Sequence, residues 1–200
     1  MTELLDTAPM PSPETSLSAS ERQRLLDVAR RSINDGLQHG RPVELDSQDF
    51  TGKLAEHGAS FVTLHRHGEL RGCIGTLQAY QPLVRDVAEH AYKAAFNDPR
   101  FPPLTAQEMD DLEIHISLLG EPEPIDFTDE QDLVSQICPG IDGLILEEGR
   151  QRGTFLPAVW ESLPDAQSFL RHLKQKAGLS ADYWSDSIKV SRYRTESFPE

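Results

Sequence analysis

A cysteine between two glycines is the feature of this sequence most suggestive of chemistry. Cys73 lies in residues 70–77, with Gly72 directly before it, Gly75 two residues after it and Arg71 two residues before it. Residues two apart project from the same face of an extended strand, so the Arg71 guanidinium would favour the thiolate form of Cys73. This spacing predicts a reactive thiol with Arg71 beside it.

The two glycines have their own interpretation. Glycine weakens the interior of a strand, so Gly72 and Gly75 predict a bulge or a backbone that a ligand or another chain segment approaches closely. We therefore include both with Arg71 in the predicted substrate-binding group. The alternative is that Cys73 is a small buried core residue and that Arg71 extends past it into solvent.

A second polar group lies in a proline-rich loop. Residues 97–103 contain three prolines around Asp98 and Arg100. Proline stiffens a loop and holds its polar side chains still, and an arginine presented in this way suits a carboxylate or a phosphate. Arg100 and Asp98 are therefore predicted to bind substrate. The alternative is an ion pair that only closes the loop.

A third group lies on a predicted strand. Residues 112–119 alternate between an apolar face and a polar face that carries Glu113, His115 and Ser117. If the polar face looks into the same cleft as Cys73, Glu113, His115 and the thiol could provide a base, an orienting group and a nucleophile, with Glu113 catalytic and His115 in the substrate-binding group. If it looks outward, these residues are the solvated side of the strand.

The elements that position these groups follow from apolar periodicity, caps and turns. A helix begins at a Ser18–Glu21 capping box and ends before Gly40, while His67-Gly68 is predicted to turn one strand back into the next. Thr105 and Glu108 predict a further capping box. The other predicted helices are residues 82–96, 128–137, 158–162 and 165–177, and the predicted strands are 60–64, 70–77, 112–119, 143–147, 154–156 and 186–194. Recurrent hairpins without βαβ alternation predict an α+β fold with a mainly antiparallel sheet flanked by helices.

Composition excludes some classes of partner. The chain has 200 residues, of which 38% are hydrophobic, enough for one domain over residues 17–200 after a polar tail, residues 1–16, that is predicted to be disordered. A formal charge of −14 argues against binding to nucleic acid or to an anionic membrane.

Cysteine and histidine usage completes the sequence-level picture. Cys73 and Cys138 are the only cysteines, and we see no signal peptide or long apolar span, which predicts free thiols in the cytoplasm. His65 and His67 share a strand face, but no third ligand lies nearby, so we predict neither a metal site nor a cofactor.

Five segments together resemble the AMMECR family. They are residues 70–76, 98–105, 113–119, 140–146 and 154–160, and the resemblance extends over about residues 17–198, nearly the whole chain. It implies an α/β unit of two lobes with a groove between them, the larger lobe built from both chain ends and the smaller from the middle. It also implies that residues 71–75 lie near that groove. Arg71, Cys73, Asp98 and Arg100 match the family pattern, whereas His115 is outside it.

The resemblance also implies partners. It is strongest to the family members of the AmmeMemoRadiSam system of bacteria and archaea. Their companions are a Memo-like protein, which resembles metal-dependent dioxygenases, and a radical S-adenosylmethionine (SAM) protein. Two functions are consistent with the sequence: an enzyme or modified carrier that uses Cys73 on a small electrophilic or anionic substrate, and a non-catalytic adaptor subunit that delivers a substrate to its partners.

Overall fold

The computed structural model describes residues 16–200, so the predicted tail lies outside the described residues except for Ser16. The α-helices are α1 Ala19–His39, α2 Leu83–Phe96, α3 Glu130–Gln136 and α4 Ala166–Lys176. The strands are β1 Ala59–Arg66, β2 Glu69–Gly75, β3 Leu112–Leu119, β4 Glu123–Pro124, β5 Gly143–Glu148, β6 Gln151–Phe155, β7 Lys189–Tyr193 and β8 Thr195–Pro199. They form two four-stranded sheets, ordered β2-β1-β3-β8 and β4-β7-β5-β6, which confirms the α+β prediction.

The boundaries of the elements follow the local signals closely. The capping box of Ser18 and Glu21 starts α1, and Gly40, at φ 70°, ends it in the left-handed conformation. The predicted strand over residues 112–119 is β3. The single strand predicted over residues 186–194 is wrong in extent, because the chain forms β7 and then a second strand, β8.

The chain divides into two compact units. Among the described residues the first comprises 16–116 together with Phe198–Glu200, and in it α1 and α2 pack against each other and α2 packs on the β1–β2 hairpin. Its core includes Val62 and Leu64 of β1 and Ile114 of β3, all fully buried. Apolar burial of this kind is the main driving force for folding of the unit.

The second unit, Ser117–Ser197, has its own core. Helix α4 packs on β6, and the Trp160 and Phe169 rings stack with centroids 3.7 Å apart. The fully buried Lys174 ammonium donates to Glu130 at 2.6 Å, which gives the buried charge a partner. Across both units, no helix in residues 16–200 is both long enough and apolar enough to cross a membrane.

The β1–β2 hairpin contains an irregularity that determines which side chains face each other. His67 and Gly68 turn the chain at positive φ, and next to the turn His65 pairs with Leu70. Beyond the turn the register changes, so that Leu64 pairs with Gly72 and Arg71 is the inserted residue of a β-bulge.

The space beside Gly72 belongs to α2. A Cβ atom at this position would lie 2.2 Å from the main-chain oxygen of Ala94, far inside van der Waals contact. Gly75 is similarly confined, because a Cβ there would lie 2.4 Å from the main-chain oxygen of Ser60. At both positions another segment of this chain makes the close approach that the sequence predicted for a ligand or a segment.

We expect Gly72→Ala to destabilise the first unit by about 1–3 kcal/mol, because α2 must move away from β2 to admit the methyl group. Urea unfolding followed by circular dichroism measures the loss. Gly120→Ala is a milder comparison, since its new Cβ would lie 3.3 Å from the Arg194 carbonyl oxygen and requires a shift of only a few tenths of an ångström, so its loss should be smaller. Equal stabilities for wild type and Gly72→Ala would contradict this packing.

Candidate functional site

Cys73 lies on β2, the edge strand of the first sheet, opposite Thr63 of β1. Its main-chain N–H points away from β1 and donates to Asp98 Oδ2 at 2.9 Å. Cys73 and Thr63 are therefore a non-hydrogen-bonded pair of the antiparallel ladder. Side chains approach closely in such pairs. The Cys73 Sγ and Thr63 Oγ1 atoms are accordingly 3.2 Å apart, and the thiol is partly buried.

Asp98 holds the backbone around the cysteine. Its side chain is 2% exposed and accepts from the N–H of Cys73 at 2.9 Å and from the N–H of Arg100 at 3.1 Å. It also accepts from Arg100 Nε at 2.9 Å and Nη2 at 2.7 Å. These hydrogen bonds, led by those from the guanidinium, hold the pKa of Asp98 well below its usual range. The pair therefore closes the loop and also fixes Cys73.

Arg100, together with Asp98, covers the outer edge of β2 at Cys73. Its Nη2 donates to the Cys73 carbonyl oxygen at 3.3 Å, so both outward main-chain groups of Cys73 are bonded to the loop. Such a cover prevents an edge strand from pairing with another chain. The Arg100 side chain remains 53% exposed and lies 5.5 Å from the Phe101 ring centroid. The Arg100 guanidinium is therefore paired with Asp98 on one side and open to solvent on another.

Arg71 has a carboxylate partner, where the sequence predicted the thiolate. Its Nε and Nη2 donate to the two oxygens of Glu108 at 2.8 and 3.2 Å, and Nη2 also donates to the Pro102 carbonyl at 3.0 Å. Glu108 in turn accepts from the N–H and the hydroxyl of Thr105, the predicted capping box, which starts a 3₁₀ helix at Ala106–Asp111. The Arg71 guanidinium, and secondarily Thr105, lower the pKa of Glu108 to about 2. The Arg71 charge is thus neutralised locally.

The predicted polar group lies on β3, which is separated from β2 by β1. In the sheet order, β3 is two strands from β2, a distance of about 9.5 Å. Glu113 is exposed, and the His115 ring packs edge-on against His65 with centroids 4.8 Å apart. Burial, and then the nearby His65, lower the pKa of His115. The structure therefore bonds Cys73 to Asp98 and Arg100, whereas His115 contacts His65 on β1.

Thr63 is the site residue that sequence reasoning missed. Counting pairs back from the His67-Gly68 turn without a bulge would place Cys73 opposite Val62, a fully buried core residue. The inserted Arg71 shifts the register by one and places Cys73 opposite Thr63. The glycine next to Arg71 was the available signal for a bulge, although it did not specify the inserted residue.

The arrangement of possible metal ligands is the next feature of the described residues. Within the part of the chain that the structure describes, no three His, Cys, Asp or Glu side chains are arranged to hold a metal ion. His67 lies 3.6 Å from Asp111, and His65 is engaged with His115. The chemistry that the described site offers is that of a thiol, a hydroxyl and an ion pair.

Comparison with known proteins identifies the family. The sequence matches the AMMECR1 family over residues 26–198. A protein of Methanothermobacter thermautotrophicus is 37% identical over 190 residues, covering 92% of this chain and 96% of that one, and a protein of Pyrococcus furiosus is 38% identical over 187 residues, covering 88% and 86%. The crystal structure of an uncharacterized protein from Pyrococcus horikoshii is similar at 36% identity with a TM-score of 0.83, covering 92% of this chain and 93% of that one. The chain belongs to the AMMECR1 family, which confirms the resemblance at this level.

We expect Glu108→Gln to cost about 2–3 kcal/mol of stability at pH 7, because it leaves the Arg71 guanidinium, 11% exposed, without its anion. The lowered pKa of Glu108 means that its contribution is complete above the unfolded value of about 4.3 and is lost as the pH falls through about 2. Urea unfolding between pH 7 and pH 2 should show the difference between wild type and variant shrinking over that interval.

Glu89→Gln is the matched control for this experiment. It removes an ion pair with Lys93 in which the two side chains are 35% and 40% exposed, so its cost should be under about 1 kcal/mol. A Glu108→Gln effect no larger than that of Glu89→Gln would show that the Arg71 pair contributes little to folding.

Proposed function

We propose that this protein performs cysteine chemistry: Cys73 attacks or holds a small electrophilic molecule that carries an anionic group, either as an enzyme or as a modified carrier. The main support is the environment of the sulfur, 3.2 Å from the Thr63 hydroxyl on a strand whose Cys73 N–H and carbonyl are bonded to Asp98 and Arg100. A hydroxyl at this distance stabilises a thiolate by donating to it. A fixed backbone limits the positions from which the sulfur reacts.

Arg100 supplies the proposed contact with the anionic group. Its bond to the Cys73 carbonyl holds the guanidinium next to this residue, and its 53% exposed side chain has room for a carboxylate or phosphate. Hydrogen bonding to Asp98 raises the pKa of Arg100, so the charge is permanent. In the covalent step the thiol loses its proton to solvent and the sulfur bonds to an electrophilic carbon. The displaced electron pair leaves with a leaving group or moves onto a carbonyl oxygen.

The proposed partner proteins follow from the resemblance to one group of family members. We propose that this chain is closest to protein A of the AmmeMemoRadiSam system and acts with a Memo-like protein and a radical SAM protein. We also propose a cytoplasmic location, which two free thiols, Cys73 and Cys138, support.

An adaptor without catalysis is the second candidate, and specific contacts favour it. The spaces beside Gly72 and Gly75 are filled by this chain's own atoms, and Arg71 is paired with Glu108. Gly72, Gly75 and Arg71 therefore stabilise the fold and are not free to contact a ligand. The groups that remain available for chemistry are the thiol, Thr63 and the ion pair of Asp98 and Arg100. In this function the cysteine side chain itself is dispensable.

We expect Cys73 to prefer a negatively charged electrophile. Iodoacetate and iodoacetamide each form a carbon–sulfur bond with release of iodide, and they differ in charge. Both cysteines donate their N–H to a carboxylate paired with an arginine, but Arg100 near Cys73 is 53% exposed, whereas Arg192 near Cys138 is 27% exposed. Because only the more exposed guanidinium has room to meet an anionic reagent, the iodoacetate-to-iodoacetamide rate ratio should be about 3–10 times higher at Cys73 than at Cys138. Peptide mass spectrometry after timed quenching measures both thiols in one sample.

Two variants identify the groups responsible. Arg100→Gln should bring the ratio at Cys73 down to that at Cys138, and Thr63→Val should slow both reagents at Cys73 by removing the hydroxyl donor. Equal ratios at the two thiols in the wild type would contradict an anion site beside Cys73. Unchanged rates in Thr63→Val would remove the proposed role of the hydroxyl.

Analysis of protein isolated from its native cells separates the carrier from the adaptor. If Cys73 holds a substrate, its peptide should include a population heavier than the sequence mass, and Cys73→Ser should lack this population while still binding its partners. If the protein is an adaptor, wild-type peptides should have the sequence mass, and the variant should support the same product formation by the reconstituted partners.

A further inference from the structure

A second candidate site lies on the first unit, between the segment after α1 and the start of α2. Residues 41–45 and α2 form the walls of an open cleft of about 420 Å³, which Gln81, Arg85, Ala88 and Glu89 line on the α2 side. An adjoining cavity of about 70 Å³ is lined by Leu45, Phe50, Ala55, Pro82, Val84 and Arg85. Leu45 and Arg85 line both spaces and thus mark where they meet.

Two acidic side chains that line this cleft have ion-pair partners, whereas Arg85 has none among the described residues. Glu89 is bonded to Lys93 at 2.6 Å and to Gln81 at 2.9 Å, and Glu44 is paired with Arg41. Arg85 is exposed and has no ion-pair partner anywhere in residues 16–200, in a chain whose formal charge is −14. An uncompensated guanidinium at the mouth of an apolar cavity suits a carboxylate joined to an alkyl group.

The size of the cavity restricts the alkyl group. An apolar cavity of about 150 Å³ accommodates benzene, so the 70 Å³ beneath Arg85 suits a short branched chain of a few carbons. Transfer of such a chain from water into this apolar cavity is favourable. We propose that this cleft binds a short branched aliphatic carboxylate, with the carboxylate on Arg85 and the alkyl group in the apolar cavity.

This site is separate from Cys73. Arg85 is in the first turn of α2, and Ala94, which packs against Gly72 of β2, is nine residues further on, about 14 Å along the helix. Binding at the cleft therefore requires neither the thiol nor its ion pair. The proposal does not depend on the cysteine chemistry proposed above.

The test is a titration of the full-length protein with 4-methylpentanoate, followed by NMR of the methyl groups of Leu45 and Val84. We expect saturable shifts with a dissociation constant of about a millimolar, as befits so small a ligand. Arg85→Gln should weaken binding at least tenfold, as should replacement of the probe by the neutral 4-methylpentanamide. Ala55→Leu, which fills the cavity, should abolish the shifts.

Two controls make the outcome decisive. Arg171→Gln removes an exposed arginine paired with Asp182 on the second unit and should leave binding unchanged. Cys73→Ser should also bind as the wild type does. Absence of saturable shifts, equal affinity for the amide, full binding by Arg85→Gln or loss of binding in Cys73→Ser would each overturn the proposal.

Discussion

The inserted residue Arg71 determines the geometry on which the cysteine site depends. In a β-hairpin the side-chain period is two, so one extra residue exchanges the faces of every residue beyond it. Without the bulge, Cys73 would face Val62 and the α2 side of the sheet; with it, Cys73 faces Thr63 and Gly72 turns toward α2. The same insertion thus exposes the sulfur to a polar neighbour and lets α2 pack closely against the strand.

The ion pair of Asp98 and Arg100 provides hydrogen-bond partners for main-chain groups of the edge strand β2. An edge strand leaves main-chain donors and acceptors without partners, and at Cys73 these groups bond to a carboxylate and a guanidinium on a proline-rich loop. Burying Asp98 would be costly if it were alone, but four donated hydrogen bonds compensate the charge. Fold stability and site geometry consequently depend on the same contacts, so a change at Asp98 alters both.

Local sequence signals predicted much of this fold and part of the site. The capping boxes at Ser18 and Thr105, the turn at His67-Gly68 and the alternation along β3 were readable because each depends on a few neighbouring residues. Cys73, Asp98 and Arg100, three of the residues that the sequence selected, are in contact in the structure. The partner of Arg71 was not readable, since Glu108 is 37 residues further along the chain and many acidic residues compete for that role.

The sequence by itself determined the family, the α+β class and the chemical inventory, because motifs, periodicity and caps are properties of the chain alone. Only the tertiary structure decided which groups meet. The register shift at Arg71 brought Thr63 to the thiol, the sheet order put β3 about two strand spacings away with Glu113 and His115, and α2 occupied the space beside Gly72. Each outcome depends on contacts between residues distant in sequence, whose energies are comparable for many alternative pairings until the whole core is packed.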